Sequence, residues 1–427
     1  MNAEKHKQEK IVGHHVTETK VCPMRIWIAC WILLLMATPT CTWATSGTLI
    51  PGSTRYPRLI RLTHGSASSN GWIVASTISK LFLSKDDGKT FSFLSDAPTR
   101  SGVSLRCCET LFELPQPLGN LPAGTLLYAA TYVDEAATKS SSGSVPSPTF
   151  PGVFAIDVYA SGDQGQHWTY LSTPVSGSGE RGAGGLWEPE FLTAHDGSLV
   201  MFWSDESYSC CSQKLMKIRS SNGKEWRHSS DVVATTDPKD RPGMIVIRQL
   251  PTGMYFMIYE MCGTHHCEVF FRKSWDGWNF GLPSDPGTRV ENEDGQYLRH
   301  APTVIWSPSP LSPNGMIVAF GQMLYNADGT LAKQNGRVLF INTHLDGSGA
   351  WHTIKAPVEV PNAYDHPCPN YSSSFLPVQN GEALIELATD FYELNKCGAS
   401  FGIRTWKDLL PPDLVRSMGP SSRSADH

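Results

Sequence analysis

Two glutamates set in apolar company are the residues of this sequence best suited to acid–base work. Glu188 lies in Leu186-Trp187-Glu188-Pro189, and Glu260 closes the run Met254-Tyr255-Phe256-Met257-Ile258-Tyr259. Apolar surroundings disfavour the charged form of a carboxyl and raise its pKa. A protonated acid beside an ionised partner can protonate a leaving oxygen while the partner attacks or activates water. That is the chemistry of glycosidic-bond hydrolysis, with the carboxyls about 5–5.5 Å apart for retention and roughly 6.5–9.5 Å for inversion. Candidate substrate ligands are Arg58, Asp205, Arg241, Arg299, His300 and Tyr371, while Glu190 is expected to face away and be structural.

The elements that must position these groups are strands. No long stretch carries a helical apolar period. Short apolar runs recur instead, among them Trp72–Ile78, Thr125–Val133, Val153–Ala160, Ser198–Ser204, Met254–Tyr259 and Ala383–Thr389. Regular short strands with turn signals between them indicate an all-β sandwich, barrel or propeller. A repeat decides among these. Ser84-Lys85-Asp86-Asp87-Gly88-Lys89-Thr90-Phe91 and Ser161-Gly162-Asp163-Gln164-Gly165-Gln166-His167-Trp168 share one pattern, shortened at Ser220–Trp226 and Ser274–Phe280 and weak at Asp346–Trp351. The Asp caps turn amides, the Gly accepts positive φ and the aromatic packs back on the next strand.

Six further strands start near a Pro, Cys or Tyr and end in a Gly turn; they begin at Tyr56, Arg106, Trp187, Arg241, Arg299 and Cys368. Taken as innermost strands, they predict a six-bladed β-propeller of four-stranded antiparallel blades over residues 48–406. The first residues of each inner strand and the last of the next then open on one face. That rule collects the six candidate ligands and both glutamates, together with Tyr132, Asp134, Glu206, Gln322 and Asp390. Residues 407–427 are expected to form a disordered tail.

The 427-residue chain has a net charge of −5 and no basic run, which argues against a nucleic-acid partner. Residues 1–44 are expected to be a signal peptide: a basic flank, the apolar Ile26–Ala37 and a small-x-Ala site at Thr42-Trp43-Ala44. An uncleaved anchor is the alternative. A secreted or extracytoplasmic monomer with no membrane span in the mature chain is expected. Eight cysteines follow the leader, and in an exported protein the default is disulfides. Cys262 with Cys267 and Cys368 with Cys397 are local closures; the adjacent pairs Cys107-Cys108 and Cys210-Cys211 are candidates to link to each other. Zinc on His265, His266 and Cys267 is a competing reading, although the spacing matches no common zinc pattern. The expected chemistry needs no metal or organic cofactor.

The repeats resemble the Asp boxes (BNR repeats) of sialidase-like propellers, where they lie at the periphery, far from the site. The ordered set Tyr56-Pro57-Arg58, Leu186-Trp187-Glu188-Pro189, Trp203-Ser204-Asp205, Arg241-Pro242-Gly243-Met244, Leu250-Pro251-Thr252-Gly253 and Tyr259-Glu260 resembles family 93 of the glycoside hydrolases. That resemblance implies a retaining exo-α-L-arabinanase acting on linear arabinan, with Glu188 as nucleophile and Glu260 as acid/base, or the reverse. The segment Glu206–Gln213 and the insertion Cys262–Cys267 depart from the pattern and put the sugar in question. Two other functions compete. An exo-sialidase would use Arg58, Arg241 and Arg299 as a carboxylate clamp; a non-catalytic carbohydrate-binding propeller would show equivalent pockets between blades.

Overall fold

The computed structural model describes residues 46–134, 152–177 and 184–418. The expected leader and its cleavage site lie outside them. Six antiparallel sheets follow one another along the chain as blades I to VI. Blade I is Pro57–Arg61, Ile73–Thr77, Lys80–Ser84 and Ser92–Asp96; blade II is Ser104–Glu113, Leu126–Asp134, Val153–Ser161 and Thr169–Ser176. Blade III is Leu186–Thr193, Leu199–Asp205, Lys214–Ser220 and Trp226–Val233. Blade IV starts with Arg241–Gln249, Tyr255–Cys262 and Glu268–Ser274, and its outer edge carries the short strands Thr288–Arg289, Tyr297–Arg299 and Met323–Tyr325. Blade V is Thr303–Ser309, Ser312–Phe320, Val338–Asn342 and His352–Lys355.

Blade VI closes the ring with both ends of the domain. Its inner three strands are Ser374–Val378, Ala383–Glu393 and Lys396–Thr405, and its outer strand is Thr48–Leu49, with Thr48 opposite Phe401. The first strand of each blade contacts the first strands of its two neighbours, so six inner strands ring the axis. Apolar side chains fill the space between consecutive blades. Phe191, Met201 and Trp203 meet Leu127, Ala129 and Ile156 between blades II and III, and Phe202 and Leu215 meet Met257 and Tyr259 between III and IV. Strands buried on both faces explain the near-continuous apolar runs of the sequence.

The repeats are hairpin clasps. Asp86 accepts the Thr90 amide at 2.9 Å, Asp163 the His167 amide at 2.9 Å and Asp276 the Trp278 amide at 2.8 Å. The clasps of blades II and III also tie their blade to the one before: Ser95 donates to the Gly165 carbonyl at 2.7 Å and Ser172 to that of Gly223 at 2.7 Å. Gly165 and Gly223 hold φ of 92° and 73°, which a side chain would strain.

Two expectations are corrected. The tail is folded over much of its described length: Trp406–Leu409 and Pro412–Met418 are short helices, and Trp406, Leu409, Leu410 and Leu414 join the core between blades V and VI. Burial of these four apolar side chains outweighs the polar composition around them. The adjacent cysteines do not link pair to pair. Cys107 is bonded to Cys108 and Cys210 to Cys211, because each pair sits on a different blade; Cys262–Cys267 and Cys368–Cys397 are joined as expected.

Candidate active site

A backbone irregularity aims Glu188. Trp187 pairs with Ser204 and Glu190 with Phe202, so two residues, 188 and 189, oppose the single Trp203. This is a β-bulge, which re-aims side chains and raises local twist. Blades II and IV carry the same bulge, at Cys108-Glu109 and Met244-Ile245. In all three the first bulged residue is left-handed, with φ of 68° at Cys108 and 54° at both Glu188 and Met244. Strict two-residue alternation would put Glu188 and Glu190 on one side. The bulge separates them. Glu190 turns between blades and accepts bonds from Thr110 Oγ1 at 3.0 Å and Arg248 Nη1 at 2.5 Å.

The two carboxylates flank one dipeptide. Glu188 Oε2 accepts the Ser204 hydroxyl at 2.6 Å and the Met244 N–H at 3.0 Å. Glu260 is paired in register with Gly243, and its Oε2 accepts the Ala301 N–H at 2.8 Å. A Cβ on Gly243 would stand 3.6 Å from Glu260 Oε1, 3.6 Å from Ser204 Oγ and 2.7 Å from Gln213 Nε2. The absent side chain of Gly243 therefore lets the buried Gln213 amide close on the backbone between Ser204 and Glu260. Burial pushes the Glu188 carboxyl up to about 7 and the charge of Glu260 adds to this, against the pull of Ser204, Met244 and Arg241.

A cavity of about 240 Å³ opens beside Glu188 and is lined by Tyr56, Ile78, Cys107, Cys108, Trp187 and Tyr371, with Arg55, Arg241 and Pro367 completing it. The Tyr371 hydroxyl donates to Met244 Sδ at 3.3 Å, and its ring lies 6.2 Å from that of Tyr56. Burial, with Glu260 and Glu188 nearby, holds the Tyr371 hydroxyl protonated far above its usual range.

The other candidates divide. Arg241 lines the cavity and pairs with Glu206. His300 sits with Nδ1 3.6 Å from Glu260 and Nε2 3.6 Å from Asp365; burial opposes its charge, but the two carboxylates outweigh it and raise its pKa. Arg58 is buried under the Tyr56 ring, 4.1 Å from its centroid, and donates to Ser372 Oγ at 3.1 Å. Arg299 stacks on Tyr325 at 4.1 Å and donates to the Tyr297 hydroxyl at 2.9 Å. Asp205 is buried and occupied by the Trp203 indole at 2.9 Å and the Ser207 amide at 2.8 Å. Gln322 is a buried strut for the loop at Tyr364, His366 and Pro369.

Sequence reasoning passed over Trp187, Ser204, Gly243, Met244 and the Ala301 amide. Ser204 and Gly243 were legible only as members of motifs, because a hydroxyl or a missing side chain gains meaning from its partner across a blade. The zinc reading fails on the sulfur. Cys267, the one thiol among His265, His266 and Cys267, is bonded to Cys262; the cluster that gathers within 4.8 Å is instead Cys262, Cys267 and His300, and it too offers no thiolate.

Fold and Asp boxes define a sialidase-like propeller of the glycoside hydrolase kind. The solved structures similar to it bear this out. An α-L-arabinanase of Penicillium chrysogenum complexed with arabinobiose is 27% identical, with a TM-score of 0.65 over 85% of this chain and 96% of that one. A GH93 α-L-arabinofuranosidase of Fusarium graminearum is 22% identical, also at 0.65, over 87% and 99%. The NanB sialidase of Streptococcus pneumoniae shares the fold at 11% identity and a TM-score of 0.53, over 86% and 70%. No protein-family model and no curated protein matches the chain.

Proposed function

We propose that the protein is an exported, retaining exo-glycosidase that cleaves an α-L-arabinofuranoside polymer with Glu188 and Glu260. The observation that carries this reading is the placement of the two carboxylates on either side of Gly243-Met244, Glu188 on the Met244 N–H and Glu260 in register with Gly243, with a cavity opening beside Glu188. Glu188 acts as nucleophile. Its Oε2 is fixed by two donors, which leaves Oε1 to attack the anomeric carbon and displace the leaving oxygen. Glu260 donates the proton to that oxygen. It then takes one from the water that attacks the glycosyl–Glu188 ester, so configuration is retained. The apolar walls exclude water around the oxocarbenium-like transition state, where charge is felt most strongly.

A pocket of about 240 Å³ lies below the ~300–1,000 Å³ usual for drug-sized ligands. That size suits the end of a chain rather than its middle. Four disulfides suit an oxidising compartment, and no helix among the described residues is long and apolar enough to cross a membrane. The sialidase reading loses its main support, because Arg58 and Arg299 are held by Ser372 and Tyr297 and only Arg241 of the three lines the cavity. The test is incubation with debranched linear arabinan, following products and anomeric configuration by NMR. Arabinobiose released with retention supports the proposal; turnover of a sialoside with arabinan untouched overturns it.

A further inference from the structure

Cys107 and Cys108 are neighbours in sequence and bonded to each other. Successive side chains of a strand point to opposite faces. A bond between them holds both sulfurs on one side. That side is the cavity: both cysteines line it together with Glu188. Cys108 takes the bulge position that Glu188 and Met244 take in the next two blades, and it is buried in one cluster with Tyr56, Met244 and Ala301. Cys107, Trp187 and Tyr371 pack on the same cluster.

Sulfur joined to sulfur has no S–H to donate, is polarizable and packs as an apolar surface. It is also rigid. A flexible side chain ordered at an interface costs about 0.5–1.5 kcal/mol, and the closed ring of a bonded pair has no such freedom to lose. The ligand that fits such a wall presents C–H groups to it and keeps its hydroxyls for other partners. One side of a sugar ring does this.

We infer that the Cys107–Cys108 disulfide is a specificity-determining platform, on which the C–H face of the sugar unit next to Glu188 rests. The cavity alone supports a sugar platform; that the sugar is an arabinofuranose rests on the function proposed above. Two free thiols would not do the same, since Cys107 would regain the alternation of the strand and each side chain its own rotamers.

The test uses the full chain, with peptide mass spectrometry establishing the Cys107–Cys108 bond first. Binding of L-arabinose, arabinobiose, D-galactose and N-acetylneuraminate is measured by calorimetry for the wild type, Cys107→Ala/Cys108→Ala and Cys107→Ser/Cys108→Ser. Kinetics on debranched arabinan run beside it. The platform predicts a Kd and KM raised roughly tenfold in both variants, with kcat within about twofold and an unchanged thermal midpoint. A wild-type Kd in the Ser/Ser variant overturns it, as does a fall in thermal midpoint and kcat with KM unchanged, the signature of a strut. A wild type that binds none of the four sugars also overturns it. If the wild type binds another sugar but not arabinobiose, the arabinan reading fails, and the platform is judged by the variants' Kd for the sugar that binds.

Discussion

Ser204 and Glu260 occupy the same position in neighbouring blades. Ser204 stands opposite Trp187 and Glu260 opposite Gly243, and each of those partners precedes a two-for-one bulge. The hydroxyl of one blade fixes the carboxylate of its own bulge, Glu188, at 2.6 Å. The carboxylate of the next blade has only a glycine opposite it, and it is held instead by the Ala301 N–H at 2.8 Å. A repeated frame thus carries two different groups to one place.

Removal of either carboxylate should remove turnover. Glu188→Gln and Glu260→Gln are expected to lose at least ~10²–10⁴-fold in kcat with the fold intact by circular dichroism. Near-normal rates in either variant would sink the assignment.

The roles of the pair show in the sign of the pH dependence. A nucleophilic Glu188, with its pKa pushed up to about 7, must lose its proton to act. kcat/KM on arabinan is therefore expected to fall as pH drops below about 7. A fall as pH rises through that value instead would make Glu188 the acid and Glu260 the nucleophile.

Ser204→Ala removes the hydroxyl that donates to Glu188 at 2.6 Å. Hydrogen bonds to charged groups contribute about 1.5–3 kcal/mol, so a loss of about 10- to 100-fold in kcat is expected. Gly243→Ala acts from the other side: its methyl enters the space beside Glu260 and meets Gln213 Nε2 at 2.7 Å. It should lower kcat/KM and also the thermal midpoint, because the buried Gln213 amide, which donates to the Pro242 carbonyl at 2.8 Å, must shift. Rates equal to wild type in both variants would mean that substrate passes elsewhere.

Glu109 lies beside the site in the axis but outside the chemistry. It is fully buried, and burial pushes its carboxyl up to about 8 against the pull of its backbone amide and Arg58. A folded-state pKa above the ordinary value of ~4.3 means the folded state binds the proton more tightly. Stability is then full below pH ~4 and declines as pH rises through about 8. Glu188 and Glu386 act in the same direction. Between pH 5 and pH 8 the thermal midpoint of the wild type is expected to fall, and that of Glu109→Gln to fall less. Equal losses in the two proteins would remove Glu109 from the account.

Much of the fold was written locally. Alternation, Gly turns and the Ser-x-Asp-x-Gly clasps each depend on residues a few positions apart, and they specified six blades before any contact between blades was known. The two glutamates were legible for a related reason: a carboxyl after six apolar residues, or between Trp187 and Pro189, needs a partner or a purpose. Chain order also placed them on consecutive blades, and the hairpin rule placed them on one face.

What tertiary structure decided is who meets whom across blades. Arg58, Arg241 and Arg299 look alike as strand-end cations, yet one is stacked under Tyr56, one faces the cavity and one is wedged among tyrosines. Asp205 and Ser204 are adjacent, and the plainer residue holds the glutamate. Sequence set Glu190 apart from Glu188, but strict alternation would put both on one side; the bulge that separates them shifts the alternation by one and leaves no mark in composition. Local backbone preferences fix strands, turns and their order, since those energies arise between near neighbours. The angle of one side chain and the neighbour that fills the space beside a glycine arise from contacts between residues far apart in the chain, and only the closed ring of blades determines them.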